Sequence, residues 1–373
     1  MPTTICRWGI LGAADIAHKN WQAIRLAENC TLSAVASRDV DKCRRFIDEC
    51  QSHVPFQRPP RVHASYEELL ADDAIDAVYI PLPTAVRKEW LIRAAEAGKH
   101  VLSEKPVGAT ADDVRAILDA CRKNRVQFMD GVMFMHSRRL ERMREILDDG
   151  QSVGRVQRIV SHFTFGAPEA FFESDIRMNS RLEPLGCLGD LGWYNLRFTL
   201  WAMNEALPSG VCGRMLGERG RSDSPAPVPI DFSAEMFFPG GASASCYCSF
   251  ITQMQQWAVV GGVNGYLHVR DFVLPHYGSE LSFEVSNPVF NIAGCDFNME
   301  EHTRRVAVRE YSNAAAEAQE TKMFRTFAEL ALSGRPDPRW GEMSLKTQLV
   351  LDACLRSARD GGRTVEVEPV GNA

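Results

Sequence analysis

The sequence predicts an α/β protein in two parts, a doubly wound parallel sheet followed by an α+β domain with an open, mostly antiparallel sheet. Three observations carry this expectation. Residues 5–135 alternate short apolar runs with helical patterns, a rhythm that lays parallel strands beneath helices. A glycine-poor turn, "GILGAADIAHK" at 9–19, joins the first strand to the first helix. After about residue 150 the helices thin out, and strand-like runs separated by turn residues take over.

In chain order, "CRWGIL" is the first strand and "ADIAHKNWQAIRLA" the first helix. "TLSAVAS" is a strand and "DVDKCRRFIDECQ" a helix that Asp39 is placed to cap. "YEELLAD" is a short helix and "IDAVYIPLP" a strand. "RKEWLIRAAEAG" is a helix stopped by Gly98. "KHVLSEKP" is a strand, "TADDVRAILDACRKN" a helix and "VQFMDGVMF" a strand. The first domain is therefore expected over 1–135 and the second over 136–373. In the second, "GRVQRIVSHFTFG", "DFSAEMFF", "ASASCYCSFIT", "QWAVVGG", "GYLHVRDFVL" and "ELSFEVS" read as strands. "PGG" at 239–241 and Asn264-Gly265 read as hairpin turns, the latter favouring type I′. Segment 217–229 reads as a mobile loop. Two closing helices are expected near 314–333 and 344–359, ended by Gly334 and Gly361.

Composition narrows the function classes. The chain is 373 residues, 45% hydrophobic and 24% charged, with formal net charge −6, which argues against a nucleic-acid binder. No apolar run is long enough to span a bilayer, and "MPTTICRWGI" lacks the parts of a signal peptide. The 11 cysteines are scattered, and Cys246-Tyr-Cys248 has the wrong spacing for a metal knuckle or redox pair, so they read as reduced thiols of a cytoplasmic protein. The sequon at Asn29 is then a chance match. His136 and His162 have no partners at metal-ligand spacing, and no metal is expected.

The first turn is a dinucleotide fingerprint with glycines replaced. Gly12 permits a tight turn. Ala14 adds one methyl where a pyrophosphate would lie, and Ala17 stands where alanine is tolerated. The helix start still offers free N–H groups and a positive dipole end, so Gly12, Ala13, Ala14, Asp15 and Ile16 form the expected cradle. At the end of the second strand, "VASRD" puts Ser37 and Arg38 where an NAD enzyme would place an acid. A hydroxyl and a forked cation suit a 2′-phosphate, hence NADP.

Ligands of open parallel sheets bind beyond the carboxyl ends of the strands. Two segments there stand out. "YIPLPT" is a stiff loop offering Pro81 and Leu82, and "LSEKP" offers Glu104, Lys105 and Pro106. In the second domain, "LGCLGDLGWYNLRFTLW" spaces Asp190 and Tyr194 four apart on an expected helix, so both face one side. Trp193 and Trp201 read as core.

With "WGILGAADIA", "VASRD", "YIPLPT", "EKPV", "DGVMFMH", "DIR", "LGDLGWY" and "SLKTQLVLDACLRSA", the chain resembles the glucose–fructose oxidoreductase / inositol dehydrogenase / MocA family from about residue 5 to 367. Within it, the chain is most similar to the branch of dimeric dihydrodiol dehydrogenases and NADP-dependent D-xylose dehydrogenases. The resemblance implies a Rossmann domain followed by an α/β domain whose open sheet often mediates dimerisation. It implies that Lys105 is the catalytic lysine and Tyr194 the catalytic tyrosine with Asp190 beside it, and that Ser37 and Arg38 hold the 2′-phosphate. It places Arg177 near cofactor or substrate. Inositol-type members have histidine at position 194, so tyrosine favours the sugar or dihydrodiol branch. Two positions depart from the family pattern: Ala14 replaces a glycine, and Arg87 stands where relatives usually have histidine.

The expected chemistry is hydride transfer between NADP and a CH–OH group of a cyclic sugar or vicinal diol. Lys105 and Tyr194 would move the hydroxyl proton, with Asp190 orienting or balancing the lysine. An uncovered sheet face in the second domain, with the alternating apolar residues of "ASASCYCSFIT" and "QWAVVGG" as candidates, is expected to form a homodimer. The alternative is a non-catalytic NADP-binding regulator on the same fold, which has no need to keep both Lys105 and Tyr194.

Overall fold

The structure, a computed structural model, describes residues 5–371. The chain begins β1 (Cys6–Leu11), α1 (Asp15–Leu26), β2 (Cys30–Ala36), α2 (Val40–His53), β3 (Arg61–His63) and α3 (Tyr66–Leu70). It continues β4 (Ala77–Ile80), α4 (Thr84–Glu96), β5 (His100–Ser103), α5 (Ala111–Asn124) and β6 (Phe128–Asp130). The six strands form one sheet in the order β3-β2-β1-β4-β5-β6 with every pairing parallel. The order reverses between β1 and β4, and at such a reversal the loops leaving two neighbouring strands diverge and open a crevice. β4 is buried throughout, and β1 and β5 nearly so, as strands covered on both faces must be. Helix starts follow local chemistry. The side chains of Asp39, Ser65 and Thr110 accept from the backbone N–H of Lys42, Glu68 and Asp113, capping α2, α3 and α5.

After a 3-10 turn at Met133–His136, the chain forms α6 (Arg138–Asp148), β7 (Val156–Thr164) and α7 (Glu169–Ser174). A π-helical segment (Leu188–Gly192) leads directly into α8 (Trp193–Ala202). Then come β8 (Gly210–Arg219), β9 (Val228–Phe237), β10 (Ser243–Ser249), β11 (Ala258–Gly262), β12 (Tyr266–Val269) and β13 (Glu280–Ser286). The hairpin β14 (Val289–Ala293) and β15 (Asp296–Glu300) and the strand β16 (Thr303–Arg309) follow. The chain ends α9 (Gln319–Leu332), α10 (Arg339–Arg359) and β17 (Val365–Glu366).

The second sheet has nine strands in the order β16-β13-β12-β11-β7-β10-β9-β8-β17. It is antiparallel except for the parallel β7–β10 pair. The π segment and α8 pack against β7 and β10, and all ten residues of α8 are buried. On that face Ala244, Cys246 and Cys248 of β10 are buried. Ser243, Ser245 and Tyr247 point to the other face and stay half-exposed. The apolar alternation expected in "ASASCYCSFIT" therefore faces this unit's own core. The opposite face presents Val160, His162, Tyr247, Trp257 and Val259, with His162 stacked on Trp257 at 4.2 Å between ring centroids.

The chain divides into two compact units, 1–136 with 181–184 and 313–348, and 137–180 with 185–312 and 349–373. The sequence predicts one domain over 136–373, whereas α9 and the first half of α10 return to the first unit. The reason is aromatic. Trp8 of β1 meets Phe324 and Phe327 of α9 at centroid distances of 5.0 and 4.9 Å, and all three are fully buried. Burying each such side chain contributes roughly 1.5–3 kcal/mol.

Three local expectations change. Asn264 and Gly265 do join β11 to β12, but neither takes positive φ, so the turn is not type I′. Only the ends of segment 217–229 belong to β8 and β9, and the loop 220–227 between them is tied down: Ser180 N–H donates to Ser224 Oγ at 2.9 Å and Arg221 Nη1 to Asp175 O at 2.9 Å. Asp190 lies in the π segment rather than in an α-helix.

Candidate active site

In the first unit the expected cofactor cradle is a backbone turn. Gly12 has φ 109°, where a side chain is strained, and its N–H donates to Ala36 O at 2.8 Å. A methyl group placed there would lie 3.1 Å from Leu82 Cδ2, so the loop after β4 closes over this turn. Ala14 is the extended N-cap of α1, and no side chain caps that helix. Asp15 and Ile16 are exposed at its first turn. A helix start left without a side-chain cap, behind a left-handed glycine, fits a dinucleotide pyrophosphate.

The end of β2 adds a cation. Ser37 is buried and its Oγ accepts from Asp39 N–H at 3.2 Å, while Arg38 is exposed. Tyr66, at the start of α3, was not singled out from sequence. Its hydroxyl would lie 3.7 Å from a methyl on Gly12. Burial pushes the Tyr66 phenol up, and the nearby Arg38 guanidinium partly offsets this. The turn, Tyr66 and Arg38 therefore form one neighbourhood, as an adenosine 2′-phosphate site requires.

At the ends of β4 and β5, side chains fix the loop that carries Lys105. The buried Tyr79 hydroxyl donates to Glu104 Oε1 at 2.6 Å and accepts from Asn20 Nδ2 at 2.6 Å. Glu104 Oε2 accepts from the Lys105 N–H at 3.2 Å. Lys105 itself is half-buried, and its peptide bond to Pro106 is cis. Arg87, whose role the sequence left open, is 3% exposed and spends its donors on backbone. Its Nε donates to Leu82 O at 2.8 Å and its Nη1 to Glu104 O at 3.0 Å, with further hydrogen bonds to Leu82 O and Pro106 O. Burial lowers its pKa, and Glu183 and Glu104 oppose that. Thr84 N–H and Oγ1 bind the two oxygens of Glu183 at 2.9 and 2.5 Å.

In the second unit the π segment is the local peculiarity. Gly186 has φ 48° just before it, and a methyl there would lie 2.1 Å from Pro229 O, so only glycine fits. A π turn takes one residue more than an α turn and is often found at functional sites. Here it carries Asp190, four residues before Tyr194. Tyr194 is buried, its ring edge-on to Phe163 at 5.5 Å. Asp190 Oδ2 accepts from Arg177 Nε at 2.9 Å, and Arg177 also reaches Asp175 Oδ1 at 3.3 Å. The Asp190 charge above all raises the pKa of Arg177 against the effect of burial. The structure therefore joins two residues that the sequence had nominated separately, and Arg177 answers Asp190. Among the described residues no cluster of His, Cys, Asp and Glu could hold a metal ion.

Residues 6–132 match the model of an oxidoreductase family with an NAD-binding Rossmann fold, and residues 140–268 match the GFO/IDH/MocA C-terminal domain. The chain belongs to the GFO/IDH/MocA oxidoreductase family. Among GFO/IDH/MocA relatives, it is 29% identical to a D-xylose 1-dehydrogenase (NADP(+)) of Haloferax volcanii, over 95% of this chain and 98% of that one. It is 26% identical to the trans-1,2-dihydrobenzene-1,2-diol dehydrogenase of Mus musculus, over 72% and 76% of the two chains. A solved structure of a point mutant of a 3-ketoreductase from Actinomadura kijaniata, in complex with TDP-benzene and NADP, superposes with TM-score 0.78. It is 25% identical and covers 95% of this chain and 98% of that one.

Proposed function

We propose that this protein is an NADP-dependent oxidoreductase that transfers a hydride between NADP and a CH–OH carbon of a cyclic sugar or vicinal diol. The observation that carries the reading is Arg38, standing with Ser37 where an acid would select NAD and beside the Tyr66 hydroxyl. The names of two relatives support the substrate class, one a dehydrogenase of a sugar and the other of a 1,2-diol.

Gly12, Ala13, Ala14, Asp15 and Ile16 would hold the pyrophosphate, and Ser37 and Arg38 the 2′-phosphate. Pro81, Leu82, Glu104 and Arg177 complete the proposed contacts. Bound NADP supplies the hydride chemistry. The protein must place the carbinol and move its proton. An unperturbed phenol titrates near pH 10 and is a weak base at neutrality. We assign the proton to Tyr194, with the ammonium of Lys105 favouring phenolate and Asp190 orienting the group. Part of this proposal is a cytoplasmic homodimer formed through the half-exposed face of the nine-stranded sheet. Light scattering at micromolar concentration should give twice the chain mass, and a monomer would exclude it.

The cofactor assignment is tested by titrating intrinsic tryptophan fluorescence with NADPH and NADH. NADPH should bind roughly ten- to a hundredfold tighter, the worth of a forked arginine–phosphate contact. Equal affinities would overturn the assignment.

A further inference from the structure

Arg87 is a buried cation whose hydrogen bonds all end on backbone carbonyls of two loops. It takes Leu82 O on one side and Glu104 O and Pro106 O on the other. The last two carbonyls flank Lys105 directly. Lys105 is therefore held fore and aft by one guanidinium, while its own N–H is held by Glu104. A neutral histidine offers one ring donor and lysine a rotatable ammonium. Only the planar fork presents several donors in a fixed geometry that can span three carbonyls.

We propose that Arg87 is a positioning residue: it sets the separation of the 81–83 and 104–106 loops and thereby the placement of Lys105. The inference rests on Lys105 being the catalytic lysine of the proposed reaction, but its geometric part stands without it. α4 builds the brace by placing Thr84, Arg87, Leu91, Ala94 and Ala95 on its buried face, so that Arg87 faces the interior instead of solvent. Glu183 anchors the start of the same helix through Thr84.

The test compares Arg87→Lys and Arg87→Ala with the native protein in three readouts. Turnover should fall at least tenfold in both variants, while the substrate KM stays within about twofold, because the carbinol is bound by other groups. Millimolar guanidinium should restore part of the turnover of Arg87→Ala, and urea at the same concentration should not. The third readout needs no turnover. Lys105 is labelled with trace acetic anhydride and followed by mass spectrometry, with the exposed Lys123 as internal reference. The Lys105 rate relative to Lys123 should shift at least threefold in Arg87→Lys. Lowered thermal stability with native turnover and native labelling would make Arg87 structural only and overturn the proposal. If the native protein turns nothing over yet labelling shifts, the brace stands and the assigned reaction fails. Should Arg87→Ala not fold, Arg87→Lys alone decides, through its labelling and turnover.

Discussion

Arg177 Nε lies 2.9 Å from Asp190 Oδ2, so the acid of the D-x-x-x-Y segment has a guanidinium partner within its own unit. The pair is partly exposed, so its direct contribution to stability is under about 1 kcal/mol. It ties the π segment that leads into Tyr194 to the 3-10 turn at Ile176–Met178. Asp190→Asn should lower the urea midpoint only slightly and leave the denaturant slope unchanged, while turnover falls. In a double-mutant cycle with Arg177→Gln the turnover losses should not add. Strict additivity would mean that the pair does not act as a unit.

Arg38→Ala should weaken NADPH by roughly ten- to a hundredfold and leave NADH nearly unchanged, because only the 2′-phosphate addresses this side chain. Tyr66→Phe should produce a smaller loss of the same kind. Fluorescence titration of both cofactors reads this directly. A parallel loss for NADPH and NADH would move Arg38 away from the 2′-phosphate.

Tyr194→Phe keeps the ring and removes the hydroxyl, and Lys105→Met keeps most of the length and removes the charge. General acid–base groups typically contribute about 10²–10⁴-fold, so each variant should lose at least two orders of magnitude in turnover. The double variant should be little worse than either single one. Cofactor affinity should change little in Tyr194→Phe. Near-native turnover in both single variants would contradict the assignment.

Acid stability should depend on the anchor between β1 and the start of β4. Asp76 accepts from Arg7 N–H and Nε at 2.9 Å each and from Arg7 Nη2 at 2.6 Å. Burial alone would raise its pKa, but the Arg7 hydrogen bonds and charge more than offset that, and the carboxyl lies below the ordinary carboxylate range. A lowered folded pKa means stabilisation that is fully present above the unfolded value of about 3.9 and lost as pH falls through the folded one. Asp76→Asn should therefore lower the free energy of unfolding at pH 7 and flatten its decline below about pH 4. Equal losses at pH 7 and pH 2 would show that the carboxylate charge is not what matters.

The first sheet was legible because its central strands are unbroken apolar runs and its helices carry start and stop chemistry, such as Asp39 and Gly98. What escaped had a diluted signal. β3 is three residues and partly exposed, and β16, "TRRVAVR", alternates with arginines at an exposed edge. β8 is interrupted by glycines, and the hairpin β14–β15 exposes every residue. The helix α6 was readable in principle, since Leu140, Met143, Ile146 and Leu147 recur at helical spacing within a charged run. Arg87 was readable too, in phase with the buried face of α4. The π segment was not, because one additional residue in a turn leaves the apolar pattern intact. Nor was the Arg177–Asp190 pair, which only the folded path between them creates.

Turnover with NADP on a hydroxyl-bearing carbon is read directly from NADPH absorbance. Purified protein is mixed with NADP⁺ and a panel of aldoses, polyols and trans-dihydrodiols, and NADPH formation is followed by absorbance. NADPH should form with at least one aldose or vicinal diol, and its formation should be abolished in Lys105→Met. Tight NADPH binding with no oxidation across the panel, and no reduction of the matching sugar ketones with NADPH, would contradict it and leave a cofactor-binding regulator in its place.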